Sequence, residues 1–247
     1  MKAMILAAGL GTRLRPLTDS RPKALVEING LSLLEITLAR LNASGVNDVI
    51  VNAHHFADMI VDYLKVHNNF GMKIVVSREE ELLDTGGGLK KAAWFFQEET
   101  ARTEQPFILH NVDVLSTIDL QRMMQQHAKD ENLVTLAVQT RESSRQLLFD
   151  ENLQLCGRKK EQETEIVRET SADPEQFAFT GIHVISPKLL HMFEEDGVFS
   201  IVETYLRLAG QGENIAAFRA DEYYWRDVGR LEDLRQAAQD LKQKNFN

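Results

Sequence analysis

Arg13, Arg15, Arg21 and Lys23 follow closely on the stretch Ala8-Gly9-Leu10-Gly11-Thr12. Two glycines let a backbone approach a ligand and turn its N–H groups toward it, and cations beside them favour an anion. The chemistry that suits this combination is the holding of phosphate groups. A second stretch, residues 79–88 (EEELLDTGGG), sets Thr85 as the N-cap of a helix whose first residues are glycines. Such a helix start exposes N–H groups and admits a flat or anionic ligand close to the backbone. Two aspartates stand apart from both: Asp113, just past the apolar run 106–111, and Asp227, within Tyr-Trp-Arg-Asp-Val-Gly at 224–229. A hard cation such as Mg²⁺ takes oxygen ligands and commonly uses one or two carboxylates plus substrate phosphates. Spacing alone does not bring these two aspartates together.

Each motif has a competitor. A dinucleotide-binding fingerprint requires G-x-G-x-x-G opening a helix, whereas here the third glycine is missing and Pro16 follows, so the dehydrogenase reading weakens. A plain turn has no need of so many cations. The pair His54-His55 lacks a cysteine or a third spaced ligand and reads as a helix entry rather than a metal site. Cys156 has no identifiable base partner, and Met123-Met124 reads as helix core.

The elements that must position these residues alternate strand and helix. Residues 3–8 form an apolar strand ending at the glycines, and 24–28 are extended before an Asn29-Gly30 turn. Ser32 and Glu35 have capping-box spacing ahead of a helix that Gly45 closes. Strands at 48–52, 73–77 and 106–111 alternate with helices at 56–66 and 85–96. This order implies parallel βαβ units with right-handed crossovers. The second half predicts a helix at 120–129, a strand at 133–139, a hairpin around 150–152 and a charged, solvated hairpin or loop at 158–169. A central strand at 177–185 follows, then helices opened by Pro187 and at 201–209, extended pieces at 215–220 and 224–228, and an amphipathic helix at 231–241. The fold class is α/β, a Rossmann-like three-layer sandwich with a mixed, mainly parallel central sheet. The chain is expected to be one domain, with 1–115 and 116–247 as its two halves.

Composition narrows the partners. The 247 residues carry a net charge of -9, with 43% hydrophobic and 26% charged residues. An acidic chain disfavours nonspecific nucleic-acid binding, so the local basic cluster points to a small anionic substrate. No apolar run approaches the roughly 20 residues that span a bilayer, and no secretory signal is visible ahead of the first strand. One cysteine forms no internal disulfide. The expectation is a cytoplasmic protein without a membrane or nucleic-acid partner, a monomer or small homo-oligomer.

The run A-A-G-L-G-T-R-L-R-P-L-T followed by P-K resembles the signature of the sugar-1-phosphate nucleotidyltransferases. That resemblance implies a nucleotide-diphospho-sugar transferase fold, Mg²⁺, and the joining of a nucleoside triphosphate to a sugar 1-phosphate with release of pyrophosphate. It implies that the backbone from Ala8 through Gly9 and Gly11 to Thr12 contacts base and phosphates, that Arg13 holds the leaving pyrophosphate, and that Lys23 neutralises the reacting phosphate. It places Glu79, Asp84, Thr85 and Gly86 beside the nucleobase. Asn111-Val112-Asp113 and W-x-D-V-G at 225–229 match the family's metal motifs, making Asp113 and Asp227 the Mg²⁺ ligands, with Asp113 also catalytic; Val112 replaces the usual glycine. Phe179-Thr180-Gly181-Ile182 resembles the segment near the acceptor sugar, which gives Thr180, Gly181 and, from a neighbouring loop, Arg145 as sugar-binding residues. The family's acidic-lysine motif belongs within 158–169, where no residue is assignable. T-G-G-G is similar to the version in the muramic acid 1-phosphate uridylyltransferases, and no β-helix repeats follow the catalytic region, so UTP with N-acetylmuramic acid 1-phosphate is the expected pair. Mannose- or heptose-1-phosphate guanylyltransferases are the alternative, and a non-catalytic nucleotide-sugar sensor is more remote.

Overall fold

A computed structural model of the chain describes residues 1–97 and 105–243, the side chain of residue 243 excepted. Strand β1 (Lys2–Leu6) is buried along its middle and leads into the glycine loop. The short strands β2 (Glu27–Ile28) and β3 (Leu31–Ser32) pair antiparallel across Asn29 and Gly30. Both of those residues have positive φ, 52° and 85°, which is the two-residue turn that Asn-Gly favours. Helix α1 (Leu33–Ala43) starts as its sequence predicts: the Glu35 N–H donates to the Ser32 hydroxyl at 3.0 Å. Gly45, at φ 87°, turns the chain out of it.

The first half continues with β4 (Asp48–Ala53), α2 (Ala57–Val66), β5 (Lys73–Arg78), α3 (Asp84–Ala92), α4 (Trp94–Gln97) and β6 (Phe107–Asn111). The single helix expected over 85–96 is thus two, and Thr85 lies inside the first turn of α3 instead of capping it. Residues 24–28 begin as a 3₁₀ turn, Lys23–Leu25, before β2. The second half runs β7 (Val114–Ser116), α5 (Leu120–Lys129), β8 (Val134–Gln139), β9 (Arg145–Phe149), β10 (Leu155–Lys160), β11 (Glu163–Ile166) and β12 (Glu175–Ile185). It ends with α6 (Ile201–Gly210), β13 (Ile215–Arg219), β14 (Trp225–Asp227) and α7 (Leu231–Gln243). Pro187 opens a 3₁₀ helix, Pro187–His191, rather than an α-helix.

β1 is parallel to both β4 and β6, and β4 to β5. β12 runs antiparallel to β6, β8 and β9, while β13 is parallel to β8. The sheet is therefore mixed and mainly parallel, with β12 reversed between β6 and β8. One face is covered by α1, α2, α5 and α7, the other by α3, α4 and α6, each over its own apolar core. Alternate residues of β1 divide between them: Ala3 and Ile5 face the first core, Met4 the second. This is the three-layer sandwich that the alternation predicts.

The chain leaves β1 toward β4 on one side and reaches β6 on the other. In an open parallel sheet that reversal opens a crevice at the carboxyl ends of the two diverging strands. The glycine loop after β1 and Asp113 after β6 both border it. Among the described residues, no helix is long and apolar enough to cross a membrane.

Candidate active site

The loop after β1 is held from below. Leu14 is fully buried, its N–H donates to the Gly11 carbonyl at 2.9 Å, and the Thr18 hydroxyl donates to the same oxygen at 2.9 Å. Gly11 sits at φ 64°, and a Cβ there would lie 2.9 Å from Thr18 Cγ2 and 3.0 Å from Lys23 Cβ, so both its conformation and its neighbours require glycine. Above that anchor Gly9, Thr12 and Arg13 are exposed, with Ala8 buried at the strand end. The N–H groups of Gly9, Leu10 and Gly11 have no acceptor among the described residues.

The four cations do not act as one cluster. Arg15 pairs with Asp19 at 3.3 Å and Arg21 with Glu27 at 3.8 Å, all four side chains being largely exposed. Lys23 instead turns inward and pairs with the Asp113 carboxylate. Arg13 lines the cleft below and has no hydrogen-bonded or ion-paired partner among the described residues.

Asp113 and Asp227 are brought together by a ladder between β7 and β14. Val114 stands opposite Asp227, and the Val228 N–H donates to the Asp113 carbonyl at 2.9 Å. Asp227 Oδ1 accepts the Gly229 N–H at 2.6 Å. Burial, and secondarily the facing Asp113 carboxylate, push the Asp227 carboxyl above its ordinary range, against the pull of Lys23 and Arg13. A Cβ at Gly229 would lie 2.6 Å from Arg13 Nη2 and 2.7 Å from Asp227 Oδ1, so both side chains sit close over this glycine. Val112, in place of the family glycine, joins the core and donates its N–H to the Leu6 carbonyl at 3.1 Å, extending the β1–β6 ladder.

A second wall comes from β4, β5 and α3. Glu79 is buried: Oε1 accepts from Asn52 Nδ2 at 2.7 Å and Oε2 from the Leu83 N–H at 3.1 Å. Asn52 in turn accepts the Ala7 N–H at 2.6 Å, so one polar chain ties the ends of β1, β4 and β5. The glycines of T-G-G-G are spaces for protein. A Cβ at Gly86 would strike the Phe199 ring, one at Gly87 the Gly197 carbonyl, and one at Gly88 would lie 2.8 Å from both Asn52 Nδ2 and Glu79 Oε1. The Gly86 N–H donates to the Phe199 carbonyl at 2.9 Å, and Thr85 Oγ1 accepts the Ile201 N–H at 3.0 Å. The expected opening of this helix start to a ligand gives way to packing against residues 197–201. Asp84 is different: it is exposed and held at φ 59°, a left-handed conformation that a non-glycine residue rarely adopts.

The cleft beyond the aspartates has a volume of about 710 Å³. Thr180 and Gly181 line it, as do Asn111, Arg141 and Trp225. Gly181, at φ 80°, lets Asn111 approach, since a Cβ there would lie 2.6 Å from Asn111 Nδ2. The Thr180 hydroxyl donates to the Ala137 carbonyl at 2.8 Å, and the Thr180 carbonyl accepts from Trp225 Nε1 at 2.8 Å. Arg145 is exposed at the start of β9 and does not line the cleft. Residues 158–169 contribute the β10–β11 hairpin; Arg158 pairs with Glu165 and Glu203, and Arg168 donates to the carbonyls of Ala209, in the last turn of α6, and of Glu213 just after it. His54 precedes α2 with Nδ1 on the Glu79 carbonyl at 2.9 Å, and no group of three or more potential metal-binding side chains exists among the described residues.

The pattern of the nucleotidyl transferase family matches residues 2–244. The chain belongs to that family. It is similar to the N-acetylmuramate alpha-1-phosphate uridylyltransferase of Caulobacter vibrioides, 32% identical over 237 residues that cover 92% of this chain and 91% of that one. It is 29% identical to the mannose-1-phosphate guanyltransferase of Yarrowia lipolytica over 238 residues, 95% of this chain but 62% of that protein. A solved UDP-glucose pyrophosphorylase from Acinetobacter baumanii has the same fold, with a TM-score of 0.78 at 17% identity over 97% of this chain and 92% of that one.

Two residues of this nucleotidyltransferase escaped the sequence reading. Asn52 is a polar end to an otherwise apolar strand, and that break in pattern was its signal. Arg141 stands just past the carboxyl end of β8, where a cation in an α/β sheet faces the ligand crevice.

Proposed function

We propose that the chain joins a nucleoside triphosphate to a sugar 1-phosphate, giving a nucleoside diphosphate sugar and pyrophosphate, with UTP and N-acetylmuramic acid 1-phosphate as its pair. The observation that carries this reading is the convergence of Lys23, Asp113, Asp227 and Arg13 where the glycine loop meets the cleft. Two facing carboxylates, one raised by burial and by the other's charge, form an oxygen-donor pair suited to a hard cation. Asp113 and Asp227 would hold Mg²⁺, which when bound neutralises phosphate charge.

The remaining chemistry belongs to the side chains. An acceptor phosphate oxygen attacks the α-phosphorus, and the bond from that phosphorus to the oxygen bridging to the β-phosphate breaks, so pyrophosphate leaves with its electron pair. Lys23 fixes Asp113 and offsets charge on the α-phosphate; unpartnered Arg13 takes the pyrophosphate. The open N–H groups from Gly9 to Gly11 cradle phosphates. Glu79 acts by holding Asn52 and the strand ends, and exposed Asp84 borders the base, while Thr85 and Gly86 hold that wall through their contacts with Phe199 and Ile201. Residues 1–115 serve the nucleotide and 116–247 the sugar, where Thr180 and Gly181 line the acceptor cleft; exposed Arg145 is not carried forward. A single buried cysteine accords with a cytoplasmic setting.

The uridylyl pair is put ahead of guanylyl transfer to mannose or heptose 1-phosphate because the uridylyltransferase relative is 32% identical over 237 residues and the guanyltransferase 29% over 238. The test is pyrophosphate release over the four common nucleoside triphosphates crossed with several sugar 1-phosphates. Turnover greatest for UTP with N-acetylmuramic acid 1-phosphate is expected. Preference for GTP with mannose 1-phosphate overturns the pair, and nucleotide binding without turnover on any pair overturns the reaction.

A further inference from the structure

We propose that Arg141 reads an anionic group of the acceptor sugar phosphate, held for that task on the face of Trp225. The inference rests on the nucleotidyltransfer reading above and names a residue for its acceptor side.

Arg141 lies two residues beyond β8, a strand parallel to β6, so it emerges on the same edge of the sheet as Asp113. Its guanidinium carbon is 3.9 Å from the centre of the Trp225 ring. One nitrogen, Nη2, donates to the Phe179 carbonyl at 2.9 Å, while Nε is buried without a partner. Among the described residues no carboxylate lies within ion-pair distance of it, although the charge of Asp227 acts on it from farther across the cleft. The other cleft arginines are differently placed: Arg226 is paired with Asp233 and Asp240, Arg13 lies against Gly229 beside Asp227, and Arg230 is exposed just ahead of α7.

A guanidinium drawn partly out of water, with only the more distant Asp227 to balance it, gains when an anion arrives in direct contact. Stacking on an indole offsets part of that and fixes the plane of the fork. Such a fork matches phosphate or carboxylate oxygens in a bidentate way. Trp225 ties this plane to the rest of the site: it stands two residues before Asp227 on β14, and its Nε1–H holds the Thr180 carbonyl. Among the described residues the cleft lining contains arginines but no lysine, Lys23 being engaged by Asp113 at its border.

The anion is either the acceptor's phosphate or, in an acidic sugar, its carboxylate. Steady-state kinetics of the full chain with UTP, comparing N-acetylmuramic acid 1-phosphate with N-acetylglucosamine 1-phosphate, separate the two. Arg141→Gln is expected to raise KM for the sugar phosphate by about tenfold or more while KM for UTP stays within about twofold, and Arg141→Lys to recover part of the loss. A penalty on both acceptors marks the phosphate; a penalty confined to the acidic sugar marks the carboxylate. Absence of wild-type turnover on every sugar 1-phosphate sinks the parent reading. Turnover in the wild type with an Arg141→Gln variant that keeps both KM values, or raises them in step, sinks the role of Arg141 alone.

Discussion

The ammonium of Lys23 rests on the carboxylate of Asp113, 90 positions further along the chain, with the two side chains only 10% and 20% exposed. The pair joins the loop after β1 to the loop after β6 across the crevice between those strands. It makes Asp113 a structural group as well as a proposed metal ligand. Removing one partner of a buried pair leaves an uncompensated charge and costs about 3 kcal/mol or more.

Asp113→Ala is therefore expected to lower thermal stability as well as abolish turnover. Asp113→Asn keeps the shape and an acceptor oxygen for Lys23; it should lose activity by about a hundredfold or more with a smaller fall in melting temperature. Calorimetry alongside Mg²⁺-dependent pyrophosphate release separates the two effects. Full activity in Asp113→Asn contradicts the assignment.

Gly229 leaves the space between Arg13 and Asp227 open, with a hypothetical Cβ 2.6 Å from Arg13 Nη2 and 2.7 Å from Asp227 Oδ1. Gly229→Ala should displace the guanidinium by a fraction of its reach and reduce kcat by about a hundredfold, leaving the circular dichroism spectrum unchanged. An unaltered kcat would show that Arg13 does not need this approach.

Gly86 faces the Phe199 ring, and its N–H holds the Phe199 carbonyl. Gly86→Ala is expected to cost about 1–3 kcal/mol by overpacking, measured in urea. Adding Phe199→Ala should return part of that, giving a coupling energy in the double-mutant cycle. Strictly additive losses would mean that the two residues do not oppose one another.

Local rules made much of this fold legible and left its long-range joins hidden. The apolar run at β1, the Ser32 cap and the Asn29-Gly30 turn each depend on neighbours in sequence, and each appears as expected. Asp113 and Asp227 meet only through the β7–β14 ladder, whose register no local pattern encodes. The glycines at 86–88 follow the same logic in reverse. Their spacing suggests access for a ligand, but the atoms that exclude a Cβ come from residues 197–199 and from Asn52 and Glu79. Arg15 and Arg21 read as part of a phosphate cluster because sequence does not show that Asp19 and Glu27 engage them.

Three buried histidines give the fold a built-in acid sensitivity, and burial lowers one of them, His127, to about 4. Burial lowers His110 to about 4, helped by the charge of Arg40, and lowers His183 to about 3, helped by His110, from 6.5 in the open chain. Below pH 6.5 the unfolded chain takes up protons that the folded one refuses, so their contribution is present above that pH and is lost as pH falls toward 4. Each histidine adds a slope of about 1.4 kcal/mol per pH unit to the unfolding free energy in that window. His183→Gln should remove about one proton's worth of slope in urea titrations between pH 6 and pH 5. An unchanged slope contradicts the burial account.

The measurement closest to the central claim follows the phosphorus atoms. With UTP labelled separately at its α- and γ-phosphates, and N-acetylmuramic acid 1-phosphate as acceptor, a single-turnover quench is resolved by chromatography. The account predicts the α-label in the sugar nucleotide and the γ-label in pyrophosphate, in equal amounts. Transfer of the γ-label to the sugar phosphate, or no transfer of the α-label to any sugar 1-phosphate, would contradict it.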